Sequence, residues 1–176
     1  LATNEAGEQA ARVDQRNIVL TGFMGTGKST VGPLLAAELG RVYYDIDTAI
    51  EHRTGLIIPR IFAERSEPFF RAIERGLCHE LALQHELVIS TGGGALIDES
   101  SRQVMLESGF VVCLMASEET IETRIRQTDV RPLAGRWREL LAQRMPIYES
   151  LPHTVDTTHK TPHEVVEEIL ALWRSN

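Results

Sequence analysis

The chain has 176 residues, enough for one domain with a true hydrophobic core. Apolar residues make up 43% of it and charged ones 24%, an ordinary globular balance, and no apolar run reaches the roughly 20 residues of a membrane span. A net charge of −7 argues against a nucleic-acid or membrane-surface protein, so a site for anionic substrates must concentrate positive charge locally.

In chain order, residues 1–16 (LATNEAGEQAARVDQR) are polar and unpatterned and read as a tail or linker. No signal-peptide pattern is visible, and a cytoplasmic location is expected. Residues 18–21, within NIVLTG, read as a buried strand. The strand feeds GFMGTGKST, which fits the phosphate-loop pattern G-x-x-x-x-G-K-[ST] with Gly22, Gly27, Lys28 and Ser29 in place. Glycines let such a loop aim its N–H groups at an anion, and the helix that follows adds the positive end of its dipole. The lysine offers a point charge to the β- and γ-phosphates, and the Ser29 hydroxyl a ligand for Mg²⁺. A helix over 28–39 places Val31, Leu34, Leu35 and Leu39 on one face, with Pro33 expected in its first turn and Gly40 as its stop.

A second strand, 42–45, ends in Asp45-Ile46-Asp47. If the strand continued, both carboxylates would point to one face, one to help hold Mg²⁺ and the other to orient or deprotonate an acceptor hydroxyl. The alternative is that Asp47 caps the helix that follows. A helix over 69–84 precedes a third strand, 87–91, which runs into Gly92-Gly93-Gly94. Backbone without side chains at that point allows close approach of a ligand. Helix 99–107, strand 111–115, helices 118–126 and 138–149, strand 154–156 and helix 162–173 complete the pattern. This alternation implies an α/β fold, a five-stranded parallel sheet with flanking helices, whose ligands sit beyond the carboxyl ends of the strands.

Cys78 and Cys113 lie in apolar surroundings without a C-x-x-C and read as buried reduced thiols. His159 and His163 flank Pro162 and have no metal-site spacing. By pattern alone Arg71, Arg131 and Arg144 read as surface charges. Arg131 stands before Pro132 in a loop, where an arginine folding over phosphates could neutralise transferring charge.

Taken together, GFMGTGKSTVG, YDIDTAIE, FFRAIE, ISTGGGA, RPL and LLAQRMPIYE closely resemble the shikimate kinase family from residue 17 to 173. The resemblance implies a P-loop NTPase fold of the nucleoside-monophosphate-kinase type. Within one domain over 17–176 it implies a substrate-binding subdomain near 46–76 and a lid near 127–138. It implies ATP-dependent phosphorylation of the 3-hydroxyl of shikimate, with Mg²⁺, by an expected monomer. By the same resemblance Gly25, Thr26, Gly27, Lys28, Ser29 and Thr30 belong to the ATP and Mg²⁺ loop. Asp45 belongs to the metal, and Asp47 to the acceptor hydroxyl as its base. Arg71 and Arg144 would grip the shikimate carboxylate, with Glu74 supporting Arg71. Gly92, Gly93 and Gly94 would form the substrate wall, and Arg131 would reach the phosphates from the lid. Arg124, or else Arg126, would cover adenine opposite Pro162. Three departures stand out: Ser66-Glu67 replaces the family's usual Gly-Glu, Arg60 stands where an acid is commoner, and residues 131–144 are shorter than the usual lid. Two rival readings are a gluconate-kinase-like enzyme and a kinase-like sensory domain of a transcription regulator.

Overall fold

The computed structural model describes residues 14–127 and 136–176. Five strands, β1 (Asn17–Thr21), β2 (Val42–Asp45), β3 (Leu87–Ser90), β4 (Gly109–Met115) and β5 (His153–Asp156), form one sheet in the order β2-β3-β1-β4-β5. Every pairing is parallel. The chain leaves β1 for the β2 edge, returns to fill β3, then crosses to β4. The sheet therefore has its switch point at β1, and the loops after β1, β2 and β3 meet at one edge.

The helices are α1 (Lys28–Leu39), α2 (Ile46–Thr54), α3 (Ile58–Glu64), α4 (Glu67–Ala82), α5 (Glu99–Ser108), α6 (Glu118–Gln127), α7 (Trp137–Glu149) and α8 (Pro162–Arg174). A single 3-10 turn, Ala95–Ile97, precedes α5. Both sheet faces are covered. Ile18, Leu20, Val88, Val112 and Leu114 pack on α1 and α8 through Val31, Leu35, Val165 and Ile169. Val19, Ile89, Val111 and Cys113 face the other way, onto Ile50, Leu77, Leu81 and Met105. Burial on two faces is why the central strands read as near-continuous apolar runs. The buried side chain of Asn17 is fully employed: it donates to the carbonyls of Leu81 and Gln84 and accepts from the amide of Leu87.

Several expectations need correction. Pro33 is not in the first turn of α1 but at its sixth residue, inside the helix, where it removes the hydrogen bond otherwise made to the Ser29 carbonyl. The buried face of α1 is Val31, Gly32, Leu35 and Ala36, while Leu34 and Leu39 only flank it. The β2 strand does not continue through Asp47, because α2 begins at Ile46. Asp45, not Asp47, is the helix cap, accepting from the amide of Thr48 at 2.9 Å. The α3 helix had no periodic signal, since only Ile61 of its seven residues is buried. The α4 helix begins two residues early, because Ser66 caps it and Pro68 fits its first turn. Cys78 and Cys113 are free and buried, as expected.

Candidate active site

The loop after β1 starts at Gly22, whose φ is +128° and whose absent Cβ would lie 2.2 Å from the Leu114 carbonyl oxygen. Only glycine can leave the sheet there. The loop delivers α1, which starts with no side-chain cap and no acidic residue in its first turn. Side-chain caps sit on α2 (Asp45), α4 (Ser66), α5 (Asp98) and α8 (a capping box of Thr161 and Glu164), whereas α3 and α7, like α1, have none. The amides at the start of α1 are thus left for an anionic ligand.

A cavity of about 620 Å³ opens over this loop, lined by Gly25, Gly27, Lys28, Ser29, Thr30, Asp45, Asp47, Gly93 and Arg124. Lys28 folds back and donates to the carbonyls of Gly22 at 2.7 Å and Phe23 at 2.9 Å. Desolvation lowers its pKa to about 8, against the opposing charge of Asp47. Burial pushes Asp47 up to about 6, helped by the charges of Asp45 and Glu74 and offset by Lys28 and Arg71. A lysine and a carboxylate with pKa values displaced toward neutrality, in one cleft, suit proton and phosphoryl transfer.

The three glycines separate this cavity from a second, of about 370 Å³, lined by Arg71, Glu74, Gly94, Gln143 and Arg144 among others. Gly92 and Gly94 make room for charged side chains, while Gly93 lies closest to the Gly22 carbonyl oxygen, 3.3 Å from where its Cβ would be. A Cβ on Gly92 would lie 2.7 Å from Glu74 Oε1 and 2.8 Å from Asp47 Oδ1. One on Gly94 would strike the Arg71 guanidinium at 2.7 Å, and one on Gly93 would lie 3.4 Å from Arg144 Nη1. Arg71, from α4, donates to Glu74 Oε2 at 2.6 Å and lies 3.4 Å from Glu67. Glu74 is buried, and its other oxygen, Oε1, has no partner among the described residues. Two guanidiniums thus border one lobe while Asp47 borders the other. Gly93 lines the first cavity and Gly94 the second, so the same turn of chain borders both.

A family model described as shikimate kinase matches residues 24–174. The chain belongs to the shikimate kinase family. The shikimate kinase of Thermodesulfovibrio yellowstonii is 42% identical over 161 residues, covering 88% of this chain and 93% of its own length. That of a Thermus thermophilus strain is 44% identical over 165 residues, covering 89% of this chain and 90% of its own. The structure of shikimate kinase from Acinetobacter baumannii in complex with shikimate superposes with a TM-score of 0.86 at 37% identity, covering 92% of this chain and 94% of that one.

In this member of the shikimate kinase family the remaining expected residues separate clearly. Arg124 reaches the cavity and donates to the Gly25 carbonyl and to Thr157, whereas Arg126 is exposed and paired with Glu122. Thr26 is buried behind the loop, its hydroxyl on the Phe23 carbonyl. Pro162 opens α8 and is not among the cavity's described lining residues. Arg131 and most of the lid expected over 127–138 lie outside the described residues. Two site residues escaped the sequence. Tyr148, fully buried in α7, donates to the Gly93 carbonyl and so pins the glycine wall. Thr157 Oγ1 accepts from Arg124 and sits 3.1 Å from the Thr26 carbonyl. Thr157 follows β5 directly, so the strand-end rule could have found it, whereas Tyr148 reads as an ordinary core aromatic.

Proposed function

We propose that this chain transfers the γ-phosphoryl group of ATP to the 3-hydroxyl of shikimate, giving shikimate 3-phosphate and ADP. The observation that carries the reading is the pair Arg71 and Arg144 on one side of the glycine wall, with Asp47 and Lys28 on the other. Two planar guanidinium forks suit a carboxylate, and a carboxylate base suits a hydroxyl one ring away. The ATP phosphates meet the amides at the start of α1, and Lys28 exchanges its loop carbonyls for the β- and γ-phosphates. Asp47 takes the hydroxyl proton as the oxygen attacks γ-phosphorus, and the electron pair of the broken P–O bond leaves with ADP. Arg131 neutralises the moving charge from the lid, and Arg124 with Pro162 brackets the adenine.

Among the described residues no cluster of three His, Cys, Asp or Glu side chains could hold a metal alone. The oxygens of Ser29 and Asp45 in the phosphate cavity fit a Mg²⁺ held largely by phosphates and water, Asp45 acting through water. When bound, that ion neutralises charge on the phosphate chain. We assign residues 46–76 to a substrate-binding subdomain, 127–138 to a lid, and the residues before Asp14 to a tail on a single monomeric, cytoplasmic kinase domain. No helix among the described residues is long and apolar enough to cross a membrane.

The test is coupled ADP release with shikimate, shikimate methyl ester, gluconate or no acceptor. Turnover is expected with shikimate alone. Efficient use of the ester, whose carboxylate is masked, or a preference for gluconate would overturn the assignment of the two arginines.

A further inference from the structure

The β2 strand carries a tyrosine two residues before Asp45, on the same side of the sheet. Tyr43 packs among the residues between the sheet and α1. Its ring lies directly on the α1 backbone, for a Cβ on Gly32 would come within 2.3 Å of Tyr43 Cε2 and 3.0 Å of its Cζ. From that seat the hydroxyl donates to Asp45 Oδ2 at 3.1 Å. The other oxygen, Oδ1, accepts from the amide of Thr48 at 2.9 Å. Each oxygen of the carboxylate is therefore held by a separate element, and the group still borders the phosphate cavity.

The helix that seats the ring also carries Ser29, one turn before Gly32. A rigid ring thus spans from the helix of one oxygen donor to the side chain of the other. We infer that Tyr43 is a positioning residue, its hydroxyl fixing Asp45 relative to Ser29 so that the two can share one divalent cation. The inference rests on the reading of Asp45 as reaching Mg²⁺ through water. Packing alone needs only the ring, and phenylalanine would supply it. The hydroxyl also meets the Ser90 side chain of β3, so its bond to Asp45 is the part that packing leaves unexplained.

The experiment measures ADP affinity by calorimetry, in EDTA and across a Mg²⁺ titration, for the wild type, Tyr43→Phe and Asp45→Asn. Tyr43→Phe should keep the wild-type ADP affinity in EDTA and melt within about 5 °C of the wild type. The Mg²⁺ concentration giving half of the metal-dependent gain should rise by about two- to tenfold, the scale of one lost hydrogen bond. Asp45→Asn should raise it further. If Asp45→Asn shifts the Mg²⁺ midpoint and Tyr43→Phe does not, the inference about Tyr43 fails and the reading of Asp45 stands. If Tyr43→Phe weakens ADP equally with and without metal, the hydroxyl is structural and the inference also fails. An unmoved midpoint in Asp45→Asn overturns both.

Discussion

Asp47 is held in the folded chain at a pKa of about 6, above the ordinary 3.8, chiefly because burial disfavours its charge. A raised carboxylate pKa means that the folded state binds the proton more tightly than the unfolded state does. The stability this provides is present in full below pH ~4 and is lost as the pH rises through about 6. At pH 7.5 the ligand-free enzyme therefore carries a cost for keeping this buried carboxylate ionised. Asp47→Asn should remove that cost and stabilise the ligand-free protein by about 1–2 kcal/mol at pH 7.5, with the gain fading by pH ~4. Turnover should fall by about 10²–10⁴-fold, while ATP affinity survives. In the wild type, kcat/KM should decline as the pH drops through about 6, where the base becomes protonated. Paired melts at the two pH values decide it: equal stability of variant and wild type at both would refute a strained, buried Asp47. The sequence placed the two aspartates at the site, and the one cap it weighed, as the alternative to a functional Asp47, fell on the wrong residue, since Asp45 caps α2. Capping depends on where the strand stops, and that is set by the pairing of Asp45 with Ser90 in a distant strand.

At the scale of elements, the long periodic segments were legible. The α1 helix matches at both ends, and the sequence bounds of β2 are those observed. The short α3 was not legible, because one buried residue makes no pattern. The start of α4 shows what a departure from family pattern can mean physically. Ser66 has φ +137° and ψ 164°, a region open almost only to glycine, which is the residue usual at this point of the family. Its hydroxyl returns only a long cap bond, 3.4 Å from the amide of Phe69. Ser66→Gly should relieve the strain, lose little as a cap, and raise stability by roughly 0.5–1 kcal/mol after the extra freedom of the unfolded chain is counted. A lower unfolding midpoint for that variant would mean the cap outweighs the strain. The glycine wall makes the opposite case. A run of three glycines could be read as a surface for close approach, but which groups it accommodates is a matter of three helices converging on it. Gly94→Ala should drive the Arg71 guanidinium off its seat. Affinity for shikimate should fall by at least ~10-fold, the scale of a charge-assisted bond, with ATP affinity unchanged. Intact shikimate binding in that variant would show that Arg71 grips nothing.

For the whole molecule, the sheet divides the labour between its two ends. Strand alternation foretold the parallel sheet and the edge where the chemistry gathers. It did not foretell the strand order, which depends on packing between segments far apart in the chain. At the opposite end, before the strands begin, the two ends of the domain are tied together. Trp173 of α8 meets Phe110 edge-on at 5.1 Å, and the guanidiniums of Arg16 and Arg41 lie 5.3 Å and 5.1 Å from its ring. Arg16 also reaches Asn176, while Arg41 donates to the carbonyls of Arg16 and Asp14. Residues 14–16, polar enough to read as tail, are thus held to the body by contacts no local pattern reveals. Phe110 is near the start of β4 and Arg16 immediately precedes β1, so this cluster lies a full strand length from the phosphate loop. Stability and catalysis should then separate on mutation. Trp173→Ala removes a large, partly buried ring and leaves two cations without their aromatic partner. It should cost about 2–3 kcal/mol, or roughly 5–10 °C in Tm. Because Lys28, Asp47 and the glycine wall hang from the other ends of the strands, KM for both substrates and kcat at a temperature well below the melt should stay within about twofold of wild type, as expected for distant, independent sites. Steady-state kinetics beside a thermal melt would test this, and a fall in kcat matching the loss of stability would mean that the base of the sheet and the site move as one unit.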